Sequence, residues 1–349
     1  MSNPIFAPIG QKTLLLVDDS AENLQILSAL LQGEYKVKVA KSGEKALEIL
    51  TSNPEIDLVL MDVLMPGING FEACRAIRAN PGLAGMPVLF LTALNDANDE
   101  TEGFAAGGSD FISKPFHPEV VKARIRLHLA LREEKQRSDA LLHILLPDKV
   151  VDELMQHGAY TPVRHPEACI LFFDMVGFTT LSANLSPEVL VNALGDIFTD
   201  FDGICARRGV TRIKTIGDAY MACSGLNSDG GSEAAACIAR AAVDFIEVLK
   251  HWSQTHQIPW QCRIGIHTGA VMSGIVGKTR FQFDVMGDHV NIAARVESAG
   301  IPGEVVVSEE FAALLSPADF SCTSLGVRTL KGKGEKELFT IRRKLTQEN

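Results

Sequence analysis

Five short apolar runs lie within the first third of the chain: Thr13–Val17, Lys36–Val39, Asp57–Met61, Pro87–Leu91 and Asp110–Ile112. Amphipathic stretches such as Ala21–Leu31 and Glu44–Leu50 separate them. Strand runs that alternate with helices predict a doubly wound parallel sheet covered on both faces. Sheets of this kind place their working groups at the carboxyl ends of the strands. Those ends carry Asp18, Asp19, Asp62, Thr92 and Lys114.

Three carboxylates converging on one sheet edge repel one another unless a cation neutralises them. Hard oxygen ligands with room for water suit Mg²⁺. A carboxylate beside that ion can attack a phosphoryl group, and a hydroxyl and an ammonium nearby can hold the phosphoryl oxygens. Either Asp18 or Asp19 alone would be explained as well by capping the helix that follows. Together, Leu15-Leu-Val-Asp-Asp19, Met61-Asp-Val-Leu-Met-Pro-Gly-Ile-Asn-Gly70, Leu91-Thr-Ala93 and Ser113-Lys-Pro-Phe116 resemble the signature segments of response-regulator receiver domains. The resemblance implies a flavodoxin-like fold over residues 12–131 and a phosphoryl donor of the histidine-kinase class. It also implies Asp18 and Asp19 as Mg²⁺ ligands, Asp62 as metal ligand and phospho-acceptor, and the Leu64 carbonyl as a further metal contact. Thr92 and Lys114 would sense the phosphoryl group, with Phe111 as the switch aromatic.

From Pro118 to Leu146 no Gly or Pro interrupts a helical pattern of about 28 residues, roughly 40 Å long at 1.5 Å per residue. Leu127, Leu131, Leu141 and Leu145 fall on one heptad seam, but Glu134 and Ser138 share it, so a strong coiled coil is not indicated. Residues 132–160 are expected to form a helical linker. Its Leu145-Leu-Pro-Asp-Lys-Val-Val-Asp-Glu-Leu154 resembles the transducing segment that precedes many cyclase domains.

The last half changes rhythm. A strand at Cys169–Asp174, a helix at Pro187–Arg207 and a hairpin at Val210–Cys223 open it. A helix at Ser232–His256 and a strand at Gln261–Met272 follow. Further strands are expected at Gln282–Met286, Glu304–Val307 and Lys336–Arg342, with a helix at Asp288–Ser298. Within this frame, Asp174 ends an apolar strand, Lys214 and Asp218 flank a turn at Gly217, and Asp284 lies in a strand. Asn291 and Arg295 are four apart on a helix and so share one face, a common arrangement on any exposed helix. Phe172-Phe-Asp-Met-Val-Gly-Phe178, Val210–Tyr220 and Phe283–Arg295 together resemble the class III nucleotidyl cyclases. That resemblance implies an α+β, ferredoxin-like catalytic domain over residues 161–345, built on an antiparallel sheet. Asp174 and Asp218 would hold two Mg²⁺ or Mn²⁺ ions, Asn291 and Arg295 would steady the transition state, and Lys331 would bind the triphosphate. For Lys333 the reading stays open between a share in that task and a simple glycine-rich turn.

Base choice falls on Lys214 and Asp284. A lysine donates to adenine N1 and an aspartate accepts from its N6 amine, whereas guanine presents the reverse edge. GTP-selective members of the family typically carry Glu and Cys at these places. The expected reaction is therefore ATP to 3′,5′-cyclic AMP and pyrophosphate, with a guanylyl or dual-specificity cyclase, or a non-catalytic scaffold, as the alternatives. The family shares each site across a head-to-tail pair of domains, so a homodimer is implied, regulated by phosphorylation as the output of a two-component system. Composition is compatible with this. A net charge of −10 without a basic stripe argues against nucleic acid, and seven scattered cysteines without a Cys-x-x-Cys pair read as reduced thiols. No apolar run reaches about 18 residues and no leader stands out, so a cytoplasmic protein without membrane contact is expected.

Overall fold

The computed structural model describes residues 10–93, 97–183, 185–227, 230–277 and 279–344. The N-terminal stretch read for a leader and the expected domain end at residue 345 lie outside them. The chain divides into two compact units, Met1–Leu145 and Leu146–Asn349.

The first unit runs β1 (Thr13–Val17), α1 (Ala21–Leu31), β2 (Lys36–Ala40), α2 (Gly43–Ser52), β3 (Ile56–Asp62), α3 (Gly70–Ala79), β4 (Val88–Thr92), α4 (Ala97–Ala105), β5 (Asp110–Ser113) and α5 (Pro118–Leu145). All strand pairs are parallel, in the order β2-β1-β3-β4-β5. The helices begin where side chains replace missing backbone partners: Ser20, Ser42 and Asn69 each accept an N–H from the first turn that follows. Leu24, Leu27 and Leu31 of α1 bury one face of the sheet together with Val121, Ile125 and Leu129 of α5. Ala46 and Leu50 of α2 and Ala73 and Ile77 of α3 bury the other.

Helix α5 is one uninterrupted element of 28 residues, so no break separates the receiver-like portion from the expected linker at residue 132. Arg132 Nη1 is bonded to the Asp57 carbonyl, and Glu133 lies 3.0 Å from Lys12 Nζ. Beyond that point the seam leucines Leu141 and Leu145 are exposed, as are Leu127 and Leu131 before it.

The second unit runs α6 (Asp148–His157), β6 (Val163–Met175), α7 (Phe178–Ser182), α8 (Pro187–Arg208), β7 (Thr211–Ile216), β8 (Ala219–Ser224), α9 (Gly231–His256), β9 (Cys262–Val276), β10 (Gln282–Met286), α10 (Asp288–Ser298), β11 (Val305–Ser308), α11 (Glu309–Ala312), β12 (Phe320–Leu330) and β13 (Gly334–Arg343). Its sheet has the order β12-β13-β11-β9-β6-β8-β7, with β10 paired to β9. Within it, β9-β6-β8-β7 is the all-antiparallel ferredoxin-like quartet. The sheet as a whole is mixed and not antiparallel, because β11 pairs parallel to β9. The crossover through α10 returns the chain in the direction in which β9 began, as a strand–helix–strand unit requires. Helices α8 and α9 cover the quartet. Phe201 and Phe245 stack at 4.0 Å there, with the rings of Phe173 and Tyr220 edge-on to Phe201 at 4.9 and 5.5 Å.

Phe201 is fully buried in that cluster. Phe201→Ala is expected to lower the stability of the second unit by about 3–5 kcal/mol, read by urea unfolding, with unfolding of the first unit unchanged.

Candidate active site and phospho-acceptor site

Strand register builds the acidic site of the first unit. Val17 pairs with Met61, Asp62 with Leu91, and Thr92 with Ser113. Asp18, Asp62, Thr92 and Lys114 therefore form one row along the carboxyl edge. Ligand oxygens of Asp18, Asp19 and Asp62 lie within 4.8 Å of one another, with Asp18 and Asp62 buried and Asp19 exposed. Lys114 Nζ reaches Asp18 Oδ2 at 2.9 Å and Asp62 Oδ2 at 2.8 Å, while Asn23 Nδ2 donates to both Asp18 oxygens at 3.0 Å. Burial pushes the Asp62 carboxyl above its ordinary range in spite of Lys114. Burial also opposes the Lys114 ammonium, but its bonds to the two carboxylates outweigh that and raise it. The three-acid donor set fits a hard divalent cation, which would relieve the same repulsion that Lys114 now offsets. Phe111 is packed inward, its ring 5.4 Å from Phe90 and 5.1 Å from Phe104. Leu64, two residues after Asp62, is largely exposed.

In the second unit Asp174 lies near the end of β6, opposite Arg263 on β9. Asp218 sits in the β7–β8 turn, made tight by Gly217 at φ +62°, a conformation that favours glycine. The Asp218 carboxyl is raised by burial and then by the negative charge of Asp174, although the Met175 N–H bonds to it. A carboxylate raised by the charge of a second one beside it forms with it a donor set that fits divalent cations. Arg263, which the sequence reading did not single out, is the cation the chain itself supplies. Its Nη2 lies 3.2 Å from Asp174 Oδ2 and its Nε 2.9 Å from Glu297 Oε1 on α10. An isolated arginine in a strand carries no spacing signal, and only the β6–β9 register reveals its partner.

Lys214 and Asp284, seventy positions apart in sequence, meet at 2.6 Å between Nζ and Oδ2. Both are about three-quarters or more buried, with side-chain exposures of 26% and 16%. Asp284 Oδ1 also accepts the Val285 N–H. On α10, Ile292, Ala293, Val296 and Glu297 face inward, which leaves Asn291 and Arg295 exposed on the outer face. Lys331 is exposed in the turn between β12 and β13. Two residues on, Lys333 is ion-paired with Asp288 in the first turn of α10, so it serves as a tie to that helix. The structure thus gathers Asp174 with Asp218, and Lys214 with Asp284. Among the described residues, no hydrogen bond or ion pair joins either pair to Asn291, Arg295 or Lys331.

Residues 161–343 match the family described as the adenylate and guanylate cyclase catalytic domain, and residues 14–126 match the response regulator receiver domain. Retinal guanylyl cyclase 1 of Rattus norvegicus is 37% identical over 215 residues, and the receptor-type guanylate cyclase gcy-7 of Caenorhabditis elegans 39% over 215 residues. Each match covers 60% of this chain but only 19% of the relative's length. Among solved structures, the adenylyl cyclase CyaB from P. aeruginosa is 26% identical with a TM-score of 0.51, over 54% of this chain and 100% of that one. The guanylate cyclase domain of RhGC from Catenaria anguillulae, in complex with GTP, is 26% identical with a TM-score of 0.50, over 52% of this chain and 100% of that one. Relatives of both nucleotide specificities are therefore represented, and no helix among the described residues is long and apolar enough to cross a membrane. The chain belongs to the adenylate and guanylate cyclase family, with a response-regulator receiver domain ahead of the catalytic domain.

Proposed function

We propose that the protein is an adenylate cyclase, active as a homodimer and regulated by phosphorylation of Asp62. The Lys214–Asp284 pair carries the choice of ATP. It sets a donor and an acceptor side by side in a largely buried place, matching adenine N1 and the N6 amine. Guanine would bring a donor against the lysine and an acceptor against the carboxylate, leaving both poorly solvated and mispaired.

In the reaction the ribose 3′ oxygen forms a bond to the α-phosphorus, the bond from that phosphorus to the bridging oxygen breaks, and pyrophosphate leaves. The 3′ hydroxyl proton passes to solvent. Two divalent ions held by Asp174 and Asp218 would acidify that hydroxyl and neutralise the triphosphate. Asn291 and Arg295 orient the ribose and spread the charge that builds on the α-phosphate, and Lys331 holds the triphosphate tail. Arg263 holds the Asp174 carboxylate in place through their ion pair. Asn291, Arg295 and Lys331 stand exposed on a single chain, as do the apolar Ile216, Phe281 and Met286. A second copy placed head to tail would cover these apolar groups and bring the exposed polar ones to the partner's carboxylates.

A phosphoryl group on Asp62 would take over the bonds that Lys114 now makes and would engage Thr92, changing the surroundings of Phe111. Helix α5 is the covalent route from there toward the cyclase unit. The phosphoryl donor would be a histidine kinase, with Mg²⁺ at Asp18, Asp19 and Asp62.

Purified protein with Mg²⁺ or Mn²⁺ is expected to turn over ATP to cyclic AMP at least about 100-fold more efficiently than GTP, the discrimination a mispaired polar edge supplies. Preferential turnover of GTP would refute the reading. Chains carrying Asp174→Ala and chains carrying Asn291→Ala, each inactive alone, should regain up to about a quarter of wild-type activity when mixed, since random pairing leaves half the dimers with one intact site. No recovery would count against shared sites. Addition of beryllofluoride should change cyclic-AMP production by wild-type protein and leave Asp62→Ala unaffected; the same response in both would remove Asp62 from regulation.

A further inference from the structure

We propose that the buried His267 and the partly buried His289 form a two-imidazole clamp that positions the first turn of α10, and hence Asn291 and Arg295, for the cyclisation step. The inference rests on the reading of α10 as the helix that carries the transition-state groups.

The clamp begins in the core. His267, on β9, is 1% exposed and Ser308, at the end of β11, is fully buried. His267 Nδ1 lies 2.7 Å from Ser308 Oγ, and its Nε2 lies 2.9 Å from His289 Nδ1. The two rings are nearly parallel, with centroids 5.1 Å apart. Ser308 in turn accepts the Phe311 N–H at the start of α11. An unbroken polar chain therefore joins β11, β9 and α10, and both nitrogens of the buried imidazole are satisfied.

The start of α10 needs such a hold. Its N-cap is Gly287, which offers no side chain to the first-turn N–H groups. Two side chains in that turn reach outward instead: Asp288 to Lys333 and His289 to His267. The first contact lies on the surface and is screened, whereas the second is partly buried, ends on a buried ring and is directional. The backbone has been shaped to admit it, because a Cβ at residue 269 would lie 2.1 Å from His289 Nδ1, and that residue is Gly269.

The charged groups facing the clamp are Asp288 from α10, Glu310 from α11, 3.8 Å from His267 Nδ1, and Lys336 from β13, which is paired with Glu310. Burial pushes the His267 imidazole down to about 4. His267 is thus neutral at physiological pH, and one proton shared between Nε2 and the facing Nδ1 completes the contact whichever ring carries it.

The test uses full-length protein and reads both backbone exchange and kinetics for His289→Ala, His289→Asn, His267→Gln and the His267→Gln/His289→Ala pair. In His289→Ala, amide exchange over the first turn of α10 should quicken and kcat for cyclase turnover should fall, each about five- to tenfold, the worth of one neutral hydrogen bond. KM should stay within about twofold, because the base-reading pair is untouched. Asn, with a polar atom at the δ position, should restore most of both quantities. His267→Gln should resemble His289→Ala, and the double variant should be no worse than either. Unchanged exchange in α10, loosening spread equally through α9 and β9, or additive losses in the double variant would overturn the proposal. An unchanged kcat with faster exchange would do so too. If the wild-type protein cyclised neither purine nucleotide, the functional reading would fall, and exchange alone would still decide whether the clamp positions α10.

Discussion

Carboxylates set side by side at the edge of a sheet are the constraint from which both halves of this protein are built. Two negative charges a few ångströms apart in a partly buried place repel by several kcal/mol at an effective dielectric of about 20. Each half carries an internal answer, Lys114 in one and Arg263 in the other. Arg263 comes from the strand beside Asp174, and Lys114 from the residue just after β5, two strands from β3, so the answer depends on register. A slip of one residue in β5 or β9 would turn the cation to the opposite face and leave the acids unmatched. The sites are thus consequences of strand pairing as much as of residue type.

The same dependence explains how much could be read from sequence. Strand and helix runs with a clear apolar period, such as β1, β10, α1 and α10, have the limits the pattern indicates. The long α5, where neither Gly nor Pro intervenes, ends at Leu145, one residue before the Leu146 to which the pattern runs. Strand β12 escaped because most of its side chains are exposed and no apolar alternation marks it. The parallel β11–β9 pair escaped because strand direction is decided by the α10 crossover and not by composition. The acidic row and the Lys214–Asp284 pair were legible through family motifs. Arg263, Lys333, His267 and His289 were not, since each acquires its meaning only from a partner 34 to 89 or 22 to 45 positions away.

Helix α10 is where the separate ties of the catalytic unit come together. Glu297 binds it to Arg263 and so to the strand end bearing Asp174, and Asp288 binds it to the turn that bears Lys331. Its apolar face, Ile292 and Val296, packs on Val306, Leu330 and Leu338. What remains outward is polar and unencumbered, which is the disposition of a helix held rigidly on one side so that it can present groups on the other.

Because α5 leaves the receiver's core as one unbroken rod, its phase is part of the information it carries. Every residue added or removed beyond Glu133 would swing whatever follows by about 100° and advance it by 1.5 Å. Lengths that differ by seven return the rod to within about 20° of its starting face. Sister proteins that join other sensors to this kind of catalytic unit should therefore differ in this segment by whole pairs of turns, and intermediate lengths should be rare.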